Sequence, residues 1–335
     1  HHDQIDRNHV ERAYSLIALQ LVANGDDPTT ITRNLAEATA LAGHAAYSLS
    51  YAGLTVKPGI RVESIRTQIR DELAEGGPRS TTQTYVIVLP GLGATYEFTE
   101  HFAALAGVHR GFSPLAPGAG DSVQTETSLS YEAGVRYADE DMGLNAEVIG
   151  FVNDYQNFVT QCGGSGGCDA TDLDRQFNAG DVLIGGVELQ GSYELELGGD
   201  YTLPMHLSYT YTHAAFRTAF SESGDPQLGE VHVGDPVPYV PEHQWSLQLG
   251  LHANGWAVNA SGTYVGEMAE IADNSVRTDG YLIVDVTGSY TVADRFDVTL
   301  RLENLTNAQP LVSRRPFGAR GYRPFMIQVG VEVPL

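Results

Sequence analysis

Positive charge is scarce in this chain: 19 Lys and Arg stand against 42 Asp and Glu in 335 residues, a formal net charge of -23. A nucleic-acid binder needs a basic footprint to replace the counterions around phosphate, so no nucleic-acid partner is expected. Long apolar runs are missing too. No stretch of about 18 apolar residues occurs, which excludes a transmembrane helix. It does not exclude membrane strands, which need only about 9–11 alternating residues. Cysteine is limited to Cys162 and Cys168, and Met to four residues. The chain opens His1-His2-Asp3-Gln4, without an initiator Met or a signal peptide, and reads as part of something longer.

What is abundant is Gly, at 37 residues, and Tyr, at 17. Repeated Gly argues against long helices, and Tyr suits strands and membrane interfaces. Two-residue alternation recurs along the chain. Trp245, Leu247, Leu249 and Leu251 face one way, whereas Ser246, Gln248, Gly250 and His252 face the other. Leu207, Tyr209 and Tyr211 oppose Ser208, Thr210 and Thr212, and from Phe325 to Leu335 every odd position is apolar. Strands are predicted near 35–51, 53–72, 84–96, 99–112, 127–137, 142–159, 182–196, 201–218, 239–253, 255–267, 279–291, 295–305 and 323–335, with 11–21 as a further one.

A soluble sandwich shows the same alternation, and the connections separate the two architectures. Short joins, such as Tyr51-Ala52-Gly53, Gly198-Gly199-Asp200 and Ala253-Asn254-Gly255, alternate with long ones at 73–83, 113–126, 160–181, 219–238, 268–278 and 306–322. Short turns at one end and long loops at the other mark an outer-membrane barrel, with the long loops outside the cell and the C-terminus in the periplasm. The fold class is all-β, an antiparallel transmembrane barrel fragment of about 13 or 14 strands. An open sheet in hydrocarbon leaves unpaired edges, so the remaining strands are expected before His1.

Chemistry is sparse. His101, His109, His206, His213, His232, His243 and His252 are scattered without metal-ligand spacing, and the chain reads as no enzyme and needs no cofactor. Gly163-Gly164-Ser165-Gly166-Gly167 has no Lys and no following helix, so it is not a phosphate loop. Cys162 and Cys168 bracket it in an external loop, where a loop-pinning disulfide fits better than a two-thiol metal site. The last long loop concentrates Arg314, Arg315, Arg320 and Arg323 within ten positions. Arg presents a rigid fork of donors to carboxylates, so Arg314, Arg315 and Arg320 are candidate contacts for an anionic ligand. The competing reading pairs them with acids such as Asp169, Asp172, Glu222 and Asp225, or with lipopolysaccharide at the rim. Arg110 and Arg217, at outer strand ends, are weaker ligand candidates.

Three stretches resemble the barrel of TonB-dependent outer-membrane siderophore receptors, particularly the ferric-citrate branch. They are Pro58-Gly59-Ile60-Arg61-Val62-Glu63, then Glu126-Thr127-Ser128-Leu129-Ser130-Tyr131-Glu132-Ala133-Gly134-Val135-Arg136, and Asn304-Leu305-Thr306-Asn307 followed by Ser313-Arg314-Arg315-Pro316-Phe317-Gly318-Ala319-Arg320. The resemblance implies a barrel of about 22 strands blocked by an N-terminal plug, with a TonB box engaged by the TonB-ExbB-ExbD complex. Residues 1–335 would be its C-terminal portion, without the plug and first strands. A ferric chelate would bind outside, with the receptor monomeric in the outer membrane. Inward polar groups such as Gln248, Asn259, Asp285, Arg301 and Glu303 would hydrate the lumen or touch the plug. A passive porin-like barrel, a surface adhesin and a receptor for a non-iron substrate remain open as alternatives, with an outer-membrane hydrolase the poorest.

Overall fold

The computed structural model describes the backbone of residues 2–11, 14–17, 20–23, 29–74, 77–120, 122–162, 176–221, 228–293, 295–314 and 318–333, with side chains from Arg33 onward. Fourteen strands succeed one another as an antiparallel meander. They are β1 (His2–Glu11), β2 (Thr29–Ala46), β3 (Leu54–Asp71), β4 (Arg79–Glu97), β5 (Phe102–Ser113), β6 (Glu126–Asp139) and β7 (Leu144–Gln156). There follow β8 (Val182–Gly198), β9 (Tyr201–Phe216), β10 (His243–Ala253), β11 (Trp256–Val265), β12 (Tyr281–Val292), β13 (Phe296–Glu303) and β14 (Met326–Glu332). Each pairs with the next in chain order, and β1 and β14 form the two edges of the sheet. The short strand Leu49–Tyr51 extends β2 along β3.

The expected alternation of short and long joins is what the fold shows. Tyr51 pairs with Leu54 across the two-residue turn Ala52-Gly53, both at positive φ (48° and 83°). Two positive φ values give the turn a twist that matches its strands. Gly53 is required on a second count, because a Cβ there would meet the Glu97 carbonyl oxygen at 2.8 Å.

Two expectations are corrected. The strand predicted at 11–21 is instead a small hairpin, Tyr14–Ile17 against Gln20–Ala23, and the strand that joins the sheet is His2–Glu11. Alternation in an apolar stretch marks a strand but not its partner. The strand predicted at 142–159 stops at Gln156, because Asn157 turns left-handed at φ 56°; Val159–Gln161 then pairs with Gln176–Asn178 within the loop.

Register assigns every strand two unlike faces. One carries Leu41, Val62, Val88, Tyr131, Val152, Val187, Leu207, Leu249, Val258, Leu300 and Val329, all substantially exposed. Cross-strand pairs connect them, as in Val62 with Val88, Tyr131 with Val152, and Leu300 with Val329. The opposite face is polar: Arg136 pairs with Glu147, Glu147 with Gln190, Gln190 with Ser208, and Arg301 with Gln328. Ile65, Thr67, Ser130, Ile283 and Glu303 are buried on this second face, so it is the inner one. A soluble protein would bury the apolar face; here that face is exposed, and the buried strand residues named lie on the polar one.

Above the sheet, at the long-loop end, lies an apolar core. Ala179, Val182, Phe216, Leu228, Val231 and Ala272 are its buried members, with Tyr155, Phe158, Phe177 and Phe220 packed against them. Phe216 meets Phe158 and Phe220 edge-on. Described residues of three loops, among them Phe158 and Ala179, Leu228 and Val231, and Ala272, are thereby joined over the strand ends.

Candidate functional site

Four of the five arginines proposed from sequence can be placed, and they do not converge. Arg314 reaches from the last loop to Glu270, a carboxylate only 2% exposed, and also donates to the Arg277 carbonyl at 2.8 Å. Tyr239 donates to the other Glu270 oxygen at 3.3 Å. Arg314 is therefore engaged in joining two loops, the acid-paired alternative raised from sequence, although its acid is one not anticipated. Arg217 pairs with Asp154 at 2.8 Å, and both lie on the apolar-bearing outer face. Arg110 stands opposite Leu129 on the outer face too, two residues beyond Val108. Arg320 opens the short strand pairing Leu311–Ser313 with Arg320–Gly321 and is exposed. Arg315 and Cys168 lie outside the described residues; Cys162 is buried at 2% exposure.

Asn304 organises this loop. It is fully buried, adopts φ 50°, and its Nδ2 donates to the carbonyls of Ala308 and Arg323, both at 2.7 Å. Its Oδ1 accepts from the Ala308 N–H at 3.0 Å, while its own N–H donates to the Asp285 carboxylate at 2.7 Å. Asn307, at φ 51°, accepts the Phe325 N–H at 2.9 Å. Asn tolerates the left-handed region and offers a donor and an acceptor at once. That is the physical content of Asn304-Leu305-Thr306-Asn307.

Beneath it, Arg301 and Glu303, both expected to face inward, meet Arg323 of the basic cluster on the inner face. Arg323 pairs with the buried Glu303 at 2.9 Å, and Arg301 approaches the same carboxylate at 3.5 Å. The Arg323 guanidinium stands over the Tyr322 ring at 5.7 Å, and Tyr322 lies 5.9 Å from Tyr281. Arg323 belonged to the basic cluster visible in sequence, but nothing local marks it as the member that turns inward. In loop 266–280 the Asp273 carboxyl lies below its ordinary range because the Ser275 N–H and hydroxyl donate to it, with burial opposing.

Toward the short-turn end the inner wall holds two recesses. One of about 610 Å³ is lined by Arg136, Glu147, Gln190, His206, Ser208 and Gln248, among others, with Arg136 Nε donating to Glu147 at 2.6 Å. The other, of about 440 Å³, is lined by Lys57, Gly91, Gly93, Gly107, His109 and Glu132, among others. Gln248, Asn259, Asp285, Arg301 and Glu303 all face inward as anticipated. No group of three or more His, Cys, Asp or Glu able to hold a metal ion occurs among the described residues.

An exposed apolar outer face, a polar inner face and long loops at one end are the features of a transmembrane β-barrel wall. The sequence profile described as TonB dependent receptor-like, beta-barrel, matches residues 8–305. The chain belongs to that family. Membership places it among receptors rather than enzymes. No curated protein sequence matches it. Among solved structures, the siderophore receptor PiuA from Acinetobacter baumannii is similar at TM-score 0.74 and 16% identity, over 92% of this chain and 44% of that one. The ferric citrate transporter FecA gives TM-score 0.73 and 19% identity, over 93% and 47%. The ferric yersiniabactin uptake receptor FyuA from Yersinia pestis gives 0.71 and 16%, over 90% and 46%. The chain thus spans about half the length of these structures. At such identities the likeness concerns the fold.

Proposed function

We propose that this chain forms the C-terminal part of the barrel of an outer-membrane receptor that takes up a ferric chelate, energised through TonB, ExbB and ExbD in the whole protein. The observation that carries the reading is the inverted wall, with its apolar face exposed and its polar face bearing the buried strand residues, within a TonB-dependent receptor family. A lipid environment makes the exposed apolar face favourable and demands that backbone groups pair between strands. In the whole receptor, further strands would join β14 to β1, and an N-terminal plug would rest on the two inner recesses.

Ferric citrate is one candidate chelate, supported by the resemblance of the Arg314 to Arg320 segment and by FecA among the similar structures. Catecholate and yersiniabactin receptors are similar to the same degree, so the class is better supported than the ligand. Arg315 and Arg320 stay proposed as ligand contacts. Arg314 would act by holding the loop that presents them, and outward-facing Arg110 and Arg217 stay the weaker candidates for that role. A disulfide between Cys162 and Cys168 is proposed to pin its loop.

The test uses the full-length receptor folded in detergent. Ferric dicitrate, citrate alone and a bulky ferric hydroxamate are titrated while tryptophan fluorescence is followed. Selective saturation by ferric dicitrate, weakened in Arg320→Gln, supports the narrow reading. Binding of the hydroxamate instead discards citrate and keeps the chelate class. A folded barrel that binds none of the chelates points to a non-iron substrate or a passive barrel.

A further inference from the structure

From β5 onward, each loop at the long-loop end is bonded to the next one along the rim. The loop between β5 and β6 meets the loop between β7 and β8 first. There the Ala116 N–H donates to Gln176 Oε1 at 3.0 Å. The Asn178 amide spans Gln124, accepting its N–H and donating to its carbonyl, both at 2.8 Å. Asn178 also donates to the Asn157 carbonyl at 3.0 Å, which fixes the amide within its own loop. Next, the Arg217 N–H of the loop between β9 and β10 donates to the Asp181 carbonyl at 2.8 Å. The Asp181 N–H donates in return to Thr218 Oγ1 at 3.1 Å. Tyr239 reaches the loop between β11 and β12, with its N–H on the Ala269 carbonyl at 2.8 Å and its hydroxyl on Glu270. The last connection joins that loop to the one between β13 and β14. Asp279 donates its N–H to the Leu311 carbonyl at 3.0 Å, and Leu311 donates to Asp279 Oδ2 at 2.8 Å, beside the Arg314–Glu270 pair.

At its β5 end the series is anchored on the inner wall. Among the described residues of β3, only Ile65 and Thr67 are buried, and both face inward. Leu115 and Ala119, in the loop between β5 and β6, are buried as well. Gln83, opposite Thr67 on β4, donates from Nε2 to the Ala119 carbonyl at 3.0 Å. Gly118 lies so close that an added Cβ would stand 3.1 Å from the Ile69 side chain. This loop therefore turns inward and rests on the wall of β3 and β4.

A lid that opens readily has few buried contacts and few bonds to its neighbours. The opposite holds here. Parting any two neighbours in the series breaks at least two hydrogen bonds. Parting the loops that meet at Asp181 also exposes the apolar core around Phe158 and Phe216 to water. We propose that these five loops form one fixed roof and that a chelate is admitted without their parting. The proposal rests on the receptor reading above and adds that the moving part of the mouth lies outside these loops.

The experiment tethers the roof in the full-length receptor. Gln124→Cys with Asn178→Cys joins the first two loops, and Asp279→Cys with Leu311→Cys joins the last two. After oxidation, peptide mapping without reductant verifies each tether in the presence of Cys162 and Cys168. Uptake of radioactive iron, given as ferric dicitrate or as a bulky ferric hydroxamate, is then measured in cells producing each receptor. The expected result is uptake by both tethered receptors at the rate of the unaltered one. Loss of uptake on tethering, while the reduced form still transports, overturns the proposal.

Hydrogen exchange on purified receptor supplies a readout that needs no chelate, and it decides if the cysteine variants do not fold. Asn178→Ala should speed exchange at residues 114–124 and 157–161 together. Faster exchange in one of these segments alone, or in neither, shows that the loops are independent and overturns the proposal. Uptake of neither chelate by the folded, unaltered receptor counts against the ferric-chelate reading and leaves exchange to judge the roof, so the two failures are separate.

Discussion

Arg314 and Glu270, 44 residues apart in the chain, form an ion pair that ties the last long loop to the loop between β11 and β12. The carboxylate is 2% exposed and the guanidinium side chain 42%, so the acid depends on the base more than the reverse. Arg314→Ala leaves Glu270 with Tyr239 and the Val276–Glu270 backbone contact but no cation. A buried group so stripped costs about 1–3 kcal/mol. Thermal unfolding of the detergent-folded receptor should show a lower midpoint for Arg314→Ala and partial recovery in Arg314→Ala with Glu270→Gln. Recovery is expected because the amide no longer buries an unpaired charge. An unchanged midpoint in the single variant would show that the pair is solvent-screened and structurally idle.

Asn304 holds two backbone segments through one amide, so its substitutions should separate conformation from hydrogen bonding. Asn304→Gly keeps the left-handed backbone at φ 50° but removes the bonds to the Ala308 and Arg323 carbonyls. Asn304→Ala removes the bonds and adds strain. The expected order of stability is Asn, then Gly, then Ala, with about 1–3 kcal/mol between the first and last. Hydrogen exchange over residues 304–325 should follow the same order. Ala and Gly behaving alike would assign the whole effect to the bonds.

Strands were legible in this chain because their signals are local. Alternation and turn residues are read within ten positions, so all thirteen main predicted strands have counterparts in the sheet. The arginines were harder. Arg314 finds its partner through loop folding, which depends on contacts tens of residues distant. Arg110 is a different case: it shares the parity of Val108 and Ala106, so its outward direction follows from period-2 counting alone. Its place at a strand end suggested a ligand role, and its outward parity keeps it a weaker candidate than the loop arginines. Arg323 could not have been separated from its neighbours, because its inward turn depends on the Asn304 amide gripping its carbonyl.

Gly53 offers a test of turn geometry against a matched control. Its φ is 83° and an added Cβ would meet the Glu97 carbonyl oxygen at 2.8 Å, whereas a Cβ at Gly93 on β4 meets nothing within 4 Å. Gly53→Ala is expected to destabilise the barrel by about 1–2 kcal/mol, and Gly93→Ala to be neutral or mildly stabilising. Urea titration of both in the same detergent would compare them. Equal midpoints would mean that the β2–β3 turn relaxes without cost.

The strongest test of the inverted wall is to place one charge on each face of the same region. Val148 is 37% exposed on the outer face, where it pairs with Val135 and Leu189. Ser208 faces inward beside Gln190 and Ser246. If the outer face meets hydrocarbon, Val148→Arg should lower folding stability in lipid vesicles by up to about 2–4 kcal/mol, the midplane value, and less nearer an interface. Ser208→Arg should be tolerated, because its guanidinium enters a hydrated, polar interior. A soluble sheet predicts a different outcome: an exposed Val148→Arg would cost almost nothing, and Ser208→Arg would cost more. The sign of the difference between the two variants, measured by urea-induced unfolding from vesicles, therefore decides which face the lipid touches.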